Sequence, residues 1–215
     1  MRPQKQLRDE LKFVAEFGTL LDVVQQVAVS QMRRLDEVVK RHPPLAELLA
    51  AQFLPLVPSA AGKHALIRGG ARGRMLVVMT SDEGLVGPLH GAVVREAQRR
   101  ADEVRQWLFI GQRGLRISEL PLTPATHEPS SPAVHAITLP PEERVVEQMQ
   151  RVRHFILTTY RRQGLKDVWL VAPRFLSATR QDVAAHQLLP VPVQLAADTA
   201  DRDFVIEPSL ARVVE

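Results

Sequence analysis

The first forty or so residues constrain this chain more than any other stretch. From Gln4 to His42 there is no proline and a single glycine, Gly18. A seven-residue step picks out Leu7, Val14, Leu21, Ala28 and Leu35; three positions after each stand Glu10, Phe17, Val24, Gln31 and Val38. Only Glu10 and Gln31 among them are polar, so the pattern is a heptad seam along one side of a helix. A helix of about 38 residues is roughly 57 Å long at the standard rise, longer than the domain that the rest of the chain can build is wide. Its seam either folds back over that domain or meets a helical partner, from this chain or another. A narrow seam sustained over five steps fits the partner better.

His42-Pro43-Pro44 predicts the end of that helix, because proline removes a donor and restrains the residue before it. A short helical piece, Leu45 to Phe53, follows, and a proline- and glycine-rich stretch then reads as a linker. The organisation expected is a stalk helix over 1–54, a linker over 55–74, an α/β domain over 75–206 and a further helix opening at 207–215.

Within the domain the pattern alternates. Met75 to Met79 is an apolar run expected as a buried strand, and Pro88 to Val104 carries Leu89, Val93, Ala97, Ala101 and Val104 at helical spacing. Trp107 to Ile110 reads as a second strand closed by Gly111 and Gly114. Pro121 to Pro141, with six prolines, reads as a long excursion. Glu142 to Gln163 is a helix capped by Gly164, Val168 to Ala172 a strand, and Gln187 to Val193 another after the polar segment Ser177 to Gln181. Strand and helix in alternation predict a doubly wound, largely parallel sheet.

Composition narrows the function. There are no cysteines, which removes disulfides, thiolate catalysis and cysteine-based zinc sites. The net charge is +4, with only five lysines among 28 basic residues. Aromatic residues are 5% of the chain and none interleaves with a basic cluster, which speaks against single-stranded nucleic acid. No run approaches the ~18 consecutive apolar residues of a membrane span. The charged stretch Met1 to Glu10 lacks an apolar signal core, so a cytoplasmic protein without a direct membrane span is expected.

No residues carry the spacing of a catalytic, cofactor or metal site. In a nucleotide-binding version of this fold, phosphate binds at the first strand-to-helix turn, which here reads Ser81-Asp82-Glu83-Gly84-Leu85-Val86-Gly87. Asp82 and Glu83 would repel a phosphate, and the glycines do not form G-x-G-x-x-G. The Gly62-Lys63 pair lacks the other residues of a phosphate-binding loop. The seven histidines form no ligand pair, and Glu142-Glu143 opens a helix where the dipole favours acids.

Several pieces together resemble the gamma subunit of F-type ATP synthases. Val77-Val-Met-Thr-Ser-Asp-Glu-Gly-Leu-Val-Gly87 is similar to that family's T-S-D-R-G-L-C-G-G-L-N segment, and Phe109-Ile-Gly-Gln-Arg-Gly114 to its v-G-r-K-G. Asp167 to Phe175, with Ser177, Gln181 and Leu188-Leu-Pro190, resembles D-x-v-x-l-v-y-x-x-F ending in l-L-P. Glu207-Pro208 resembles the E-P before the closing helix, and Val27-Ala-Val-Ser-Gln-Met-Arg-Arg34 resembles V-A-A-S-K-M-R-R. The five pieces lie in the family's order and cover nearly the whole chain.

That resemblance implies a long N-terminal coiled-coil helix followed by a Rossmann-like α/β domain without a nucleotide site. It implies a non-catalytic central-stalk rotor subunit coupling ion flow to ATP synthesis, without a cofactor, peripheral on the inner face of the cell membrane. The implied partners are the catalytic alpha and beta subunits, the epsilon subunit and the membrane rotor ring, with no nucleic acid. Implied interface residues are Leu7, Val14, Phe17, Leu21, Val24, Gln31, Met32, Arg33 and Arg34 on the helix, and Asp82 and Glu83 on the turn. The departures are Thr19 to Gln26 in place of K-I-T-K-A-M-K-M, Glu83 for arginine, Pro88 for glycine and His90 for asparagine. The family continues for several tens of residues beyond a point matching Glu215, so most of the closing helix is expected to be missing. Two other classes stay open: a gamma-derived interaction or regulatory protein that has lost the rotor role, and a small Rossmann-type enzyme.

Overall fold

The computed structural model describes residues 4–53, 65–84, 86–122, 132–139, 144–177 and 180–191, with backbone alone for 37–53 and 65. The chain divides into two units, Met1–Leu54 and Pro55–Glu215.

The first unit is α1, Gln4–Phe53, one α-helix of 50 residues and about 75 Å long at 1.5 Å per residue. It does not stop at His42 as expected, because it runs through Pro43-Pro44 into what reads as a separate piece from Leu45. Two prolines remove two amide donors from a ladder of dozens. The segment after them, Leu-Ala-Glu-Leu-Leu-Ala-Ala-Gln-Phe, consists almost wholly of strong helix formers. Propensity on the far side therefore outweighs the local break.

The second unit begins with a short helix α2 (Ala65–Arg68) inside the stretch read as linker, and strand β1 (Arg72–Met79) starts three residues earlier than Met75. It continues with α3 (Leu89–Gln98), β2 (Val104–Ile110), α4 (Gln112–Ser118), β3 (Ala133–Ile137), α5 (Val145–Gln163), β4 (Leu165–Ser177) and β5 (Arg180–Leu189). The five strands form one sheet in the order β3-β2-β1-β4-β5. The first four are parallel and β5 runs antiparallel to β4.

Both faces of the sheet are covered, which is why β1 reads as an unbroken apolar run. Met75, Val77, Leu108 and Ile110 pack under Val152, Ile156 and Tyr160 of α5. Leu76, Val78, Trp107, Phe109 and Val171 pack on the other side against Val93 and Ala97 of α3. Gly164 ends α5 in the left-handed conformation, its amide donating to the Tyr160 carbonyl.

Several boundaries differ from the sequence reading. The α3 helix stops at Gln98 although apolar spacing continues to Val104. The amide of Arg74 donates to the Glu103 carbonyl at 2.9 Å, and Val104 opens β2, so sheet pairing takes over where the helical pattern persists. Gly114 lies inside α4 and does not close a turn. β3 falls within the proline-rich excursion, paired to β2 from Gln106–Ala133 to Ile110–Ile137. β5 covers Arg180–Leu189, not Gln187 to Val193, because a ladder with β4 extends to Phe175–Gln181. Its polar residues suit an exposed edge. Glu142, Glu143, Leu85 and the segment 207–215 lie outside the described residues.

Candidate functional site

Two features stand out: the apolar face of α1 and the strand ends of the sheet. On α1, Leu7, Val14, Phe17, Leu21, Val24 and Met32 are each 48–64% exposed. Gln31, Arg33 and Arg34 are exposed on the same helix. The seam is wider than the sequence reading allowed. Exposed Leu11 and Met32 flank it on one side, and Phe13, Leu20 and Val27 on the other. Together these positions cover roughly 150° of the helix circumference. A two-stranded coil needs only the narrower stripe, so this face suits cover on more than one side. The opposite face is mostly polar: Lys12 and Glu16 pair at 3.8 Å, and Asp22, Gln25, Gln26, Val29, Ser30 and Arg33 line a shallow groove, with Val23 also exposed. By length and composition the segment Gln4–Asp36 is also apolar enough to cross a membrane, a feature that the search for unbroken apolar runs missed. Ten charged residues stand within it, Glu16 and Asp22 near its middle, and each acid at the centre of a span costs about 2.5–3.5 kcal/mol.

At the C-terminal ends of β1, β2 and β3 the backbone is tied together by side chains of Thr80, Ser81 and Asp82. Thr80 Oγ1 donates to the Ile110 or Gly111 carbonyl (3.2 and 3.1 Å) and accepts from the Gly114 amide at 3.0 Å. Asp82 Oδ1 accepts the amide of Gln112, the first residue of α4, at 2.8 Å, and Oδ2 accepts the Leu139 amide at 2.6 Å. Ser81 Oγ donates to the Glu83 carbonyl at 2.8 Å. His90 Nε2 lies 3.0 Å from Ser81 Oγ and 3.3 Å from the Glu83 carbonyl. Buried Nδ1 of His90 has no hydrogen-bond partner among the described residues. Glu83 itself is exposed.

The glycines of this region are required by close approach. Gly111 has φ +89°, and a Cβ there would sit 2.7 Å from the Thr80 carbonyl carbon. A Cβ on Gly114 would lie equally close to the Thr80 side chain.

Open α/β sheets bind anionic ligands at this end. Here the Asp82 carboxylate accepts amides from the turns that follow β2 and β3. Asp82 is therefore a tie between three strand ends, an internal role that sequence reasoning missed because its two donors lie 30 and 57 residues away. Among the described residues no group of three or more histidine and acidic side chains could hold a metal. A groove of about 650 Å³ runs along α5, lined by residues including Arg151, His154, Phe155 and Arg162, and is open to solvent.

A doubly wound domain whose strand ends are tied by Asp82, following a long helix with a broad apolar face, defines a structural class: a rod-bearing assembly subunit. The chain belongs to the ATP synthase family, whose model matches residues 4–215. It is 27% identical over 217 residues to the ATP synthase gamma chain of Erythrobacter litoralis, covering 96% of this chain and 72% of that one. It is 25% identical over 230 residues to the gamma chain of Burkholderia pseudomallei, covering all of this chain and 76% of the relative. In fold it is similar to a chain of the Euglena gracilis mitochondrial ATP synthase OSCP/F1/c-ring structure, with TM-score 0.54 and 13% identity over 86% of this chain and 56% of that one. A chain of the Euglena gracilis rotor structure gives TM-score 0.53 at 13% identity, over 89% and 64%.

Proposed function

We propose that this chain is the gamma-type central-stalk rotor subunit of an F-type ATP synthase, mechanical and not catalytic. The observation that carries this reading is the exposed apolar face of α1 in a chain whose family match runs from residue 4 to 215. Burying a side chain such as Leu21 or Val24 gains about 1.5–3 kcal/mol, so the face supports tight association along a stiff rod. Its partners are the catalytic alpha and beta subunits, the epsilon subunit and the membrane rotor ring. Leu7, Val14, Phe17, Leu21, Val24, Gln31, Met32 and Arg34 form the interface on the rod, and Arg33, on the opposite face, meets a partner from the other side. Exposed Glu83 presents a charge on a turn that Asp82 holds in place. The assembly lies peripherally on the inner face of the cell membrane.

Native purification of the full chain from its own cells tests this. Alpha and beta subunits in fixed stoichiometry support the rotor reading, and their absence from an otherwise stable complex favours a regulatory protein derived from the same family.

A further inference from the structure

The two faces of the sheet are not covered alike. Val93 and Ala97 of α3 and Leu115 of α4 pack on the face that carries Leu76, Val78 and Phe109. On the other face the only helix longer than four residues, among the described ones, is α5. Five strands about 4.8 Å apart span roughly 19 Å, whereas a helix with its side chains is about 10 Å across. One helix does not roof that width.

The groove of about 650 Å³ lies along one flank of α5, from Glu147 to Gln163, about 24 Å at 1.5 Å per residue. That flank faces β2 and β3. The Phe155 ring meets His135 of β3 edge-on, with centroids 5.0 Å apart, and Gln163 Oε1 accepts from Gln106 Nε2 of β2 at 3.2 Å. The groove has a helix for its wall and strands at its foot, the seat that a second helix takes in layered α/β packing.

Its charge is one-sided. Glu147 is the single acid of α5, and Arg151 already pairs with it at 2.6 Å. Arg162 is exposed, lines the same groove and has no ion-pair partner among the described residues. The dipole at the end of α5 favours Arg161 and Arg162 alike, but only Arg162 lines the groove. Arg151 and Arg162 stand about 16 Å apart along the helix axis. A single small anion does not reach both, whereas acids repeated along a helix do.

We propose that this groove seats an acidic amphipathic helix of a partner protein. Carboxylates of the occupant meet Arg162 and Arg151 in charge-assisted hydrogen bonds, and its apolar side rests against Phe155. An extended strand added to the edge of β3 would leave the α5 wall unused. The inference goes beyond the rotor reading and makes no use of α1.

The probe is a labelled helical peptide of about 16 residues, matched to the groove's length, with leucines on one face and glutamates on the next. It is titrated with the full chain in low salt and followed by fluorescence anisotropy. Arg162→Glu is expected to weaken binding about tenfold. Arg153→Glu makes the same charge change roughly half a turn round α5 from Arg162, and stays within about threefold of the parent chain. Polyglutamate, which lacks the apolar face, binds at least about tenfold more weakly than the peptide. Equal loss in the two variants, or equal binding of polyglutamate, overturns the proposal by reducing the contact to overall charge. Full binding by Arg162→Glu overturns it by setting the peptide elsewhere, as on α1. No saturable binding by the parent chain overturns it in favour of a groove filled by the chain itself. None of these results involves catalytic subunits, so the rotor reading stands or falls separately.

Discussion

Asp82, half-buried, and Asp167, buried, are two acids held in the α/β unit for different reasons. Asp82 accepts two backbone amides from separate strand ends. Asp167 is 8% exposed and faces Arg74, with Nε 3.3 Å from Oδ1 and Nη2 3.4 Å from Oδ2. Asp82→Ala removes the acceptor of two amides, of which that of Leu139 is open to solvent, and is expected to cost about 1–2 kcal/mol, read by urea unfolding followed through Trp107 and Trp169, both in this unit. Arg74→Met leaves a buried carboxylate unpaired, at a cost of about 3–5 kcal/mol; Arg74→Met combined with Asp167→Leu recovers most of it. A loss equal to the sum of the single variants would show that the pair does not act as a unit. Tyr160 titrates for a third reason. Burial first, and the Asp167 carboxylate second, hold its phenol above the ordinary value. A raised folded-state value means the neutral form supports the fold. That contribution is complete below the unfolded value, about 10, and is lost as pH rises through the folded one. Stability is expected to fall at pH above about 10, with a shallower slope in Tyr160→Phe.

At the scale of elements, α1 and the sheet answer to different forces. Leu21 and Val24 on the α1 face are 54% and 63% exposed. Leu21→Asp with Val24→Asp is therefore expected to shift the unfolding of the tryptophan-reporting unit by less than about 0.5 kcal/mol. The same change should abolish assembly with partner subunits, measured by sedimentation of the reconstituted complex. The helix, β1, the α5 helix with its Gly164 cap and the alternation of strand with helix could all be read from periodicity. What could not be read depends on contacts far away in sequence. β3 is five residues between prolines and exists because β2 offers it an edge. The polar half of β5 is strand only because β4 runs beside it. The end of α3 follows from pairing of Arg74 with the Glu103 backbone. The turn at Asp82 was recognisable as hostile to phosphate, but not as a tie, since neither donor is near it in sequence. Continuation of α1 through two prolines required weighing the nine residues beyond them.

For the whole molecule the account is mechanical: a long rod with a broad apolar face, and an α/β domain whose strand ends Asp82 ties together. The absence of cysteine allows one to be placed at will. The most direct measurement introduces Val24→Cys, cross-links it to a cysteine in a neighbouring catalytic subunit of the assembled complex, and follows ATP hydrolysis before and after reduction. A rotor tied to its surroundings must stop, so hydrolysis should fall nearly to nothing on cross-linking and return on reduction. Undiminished hydrolysis with the cross-link fully formed would contradict the rotor account.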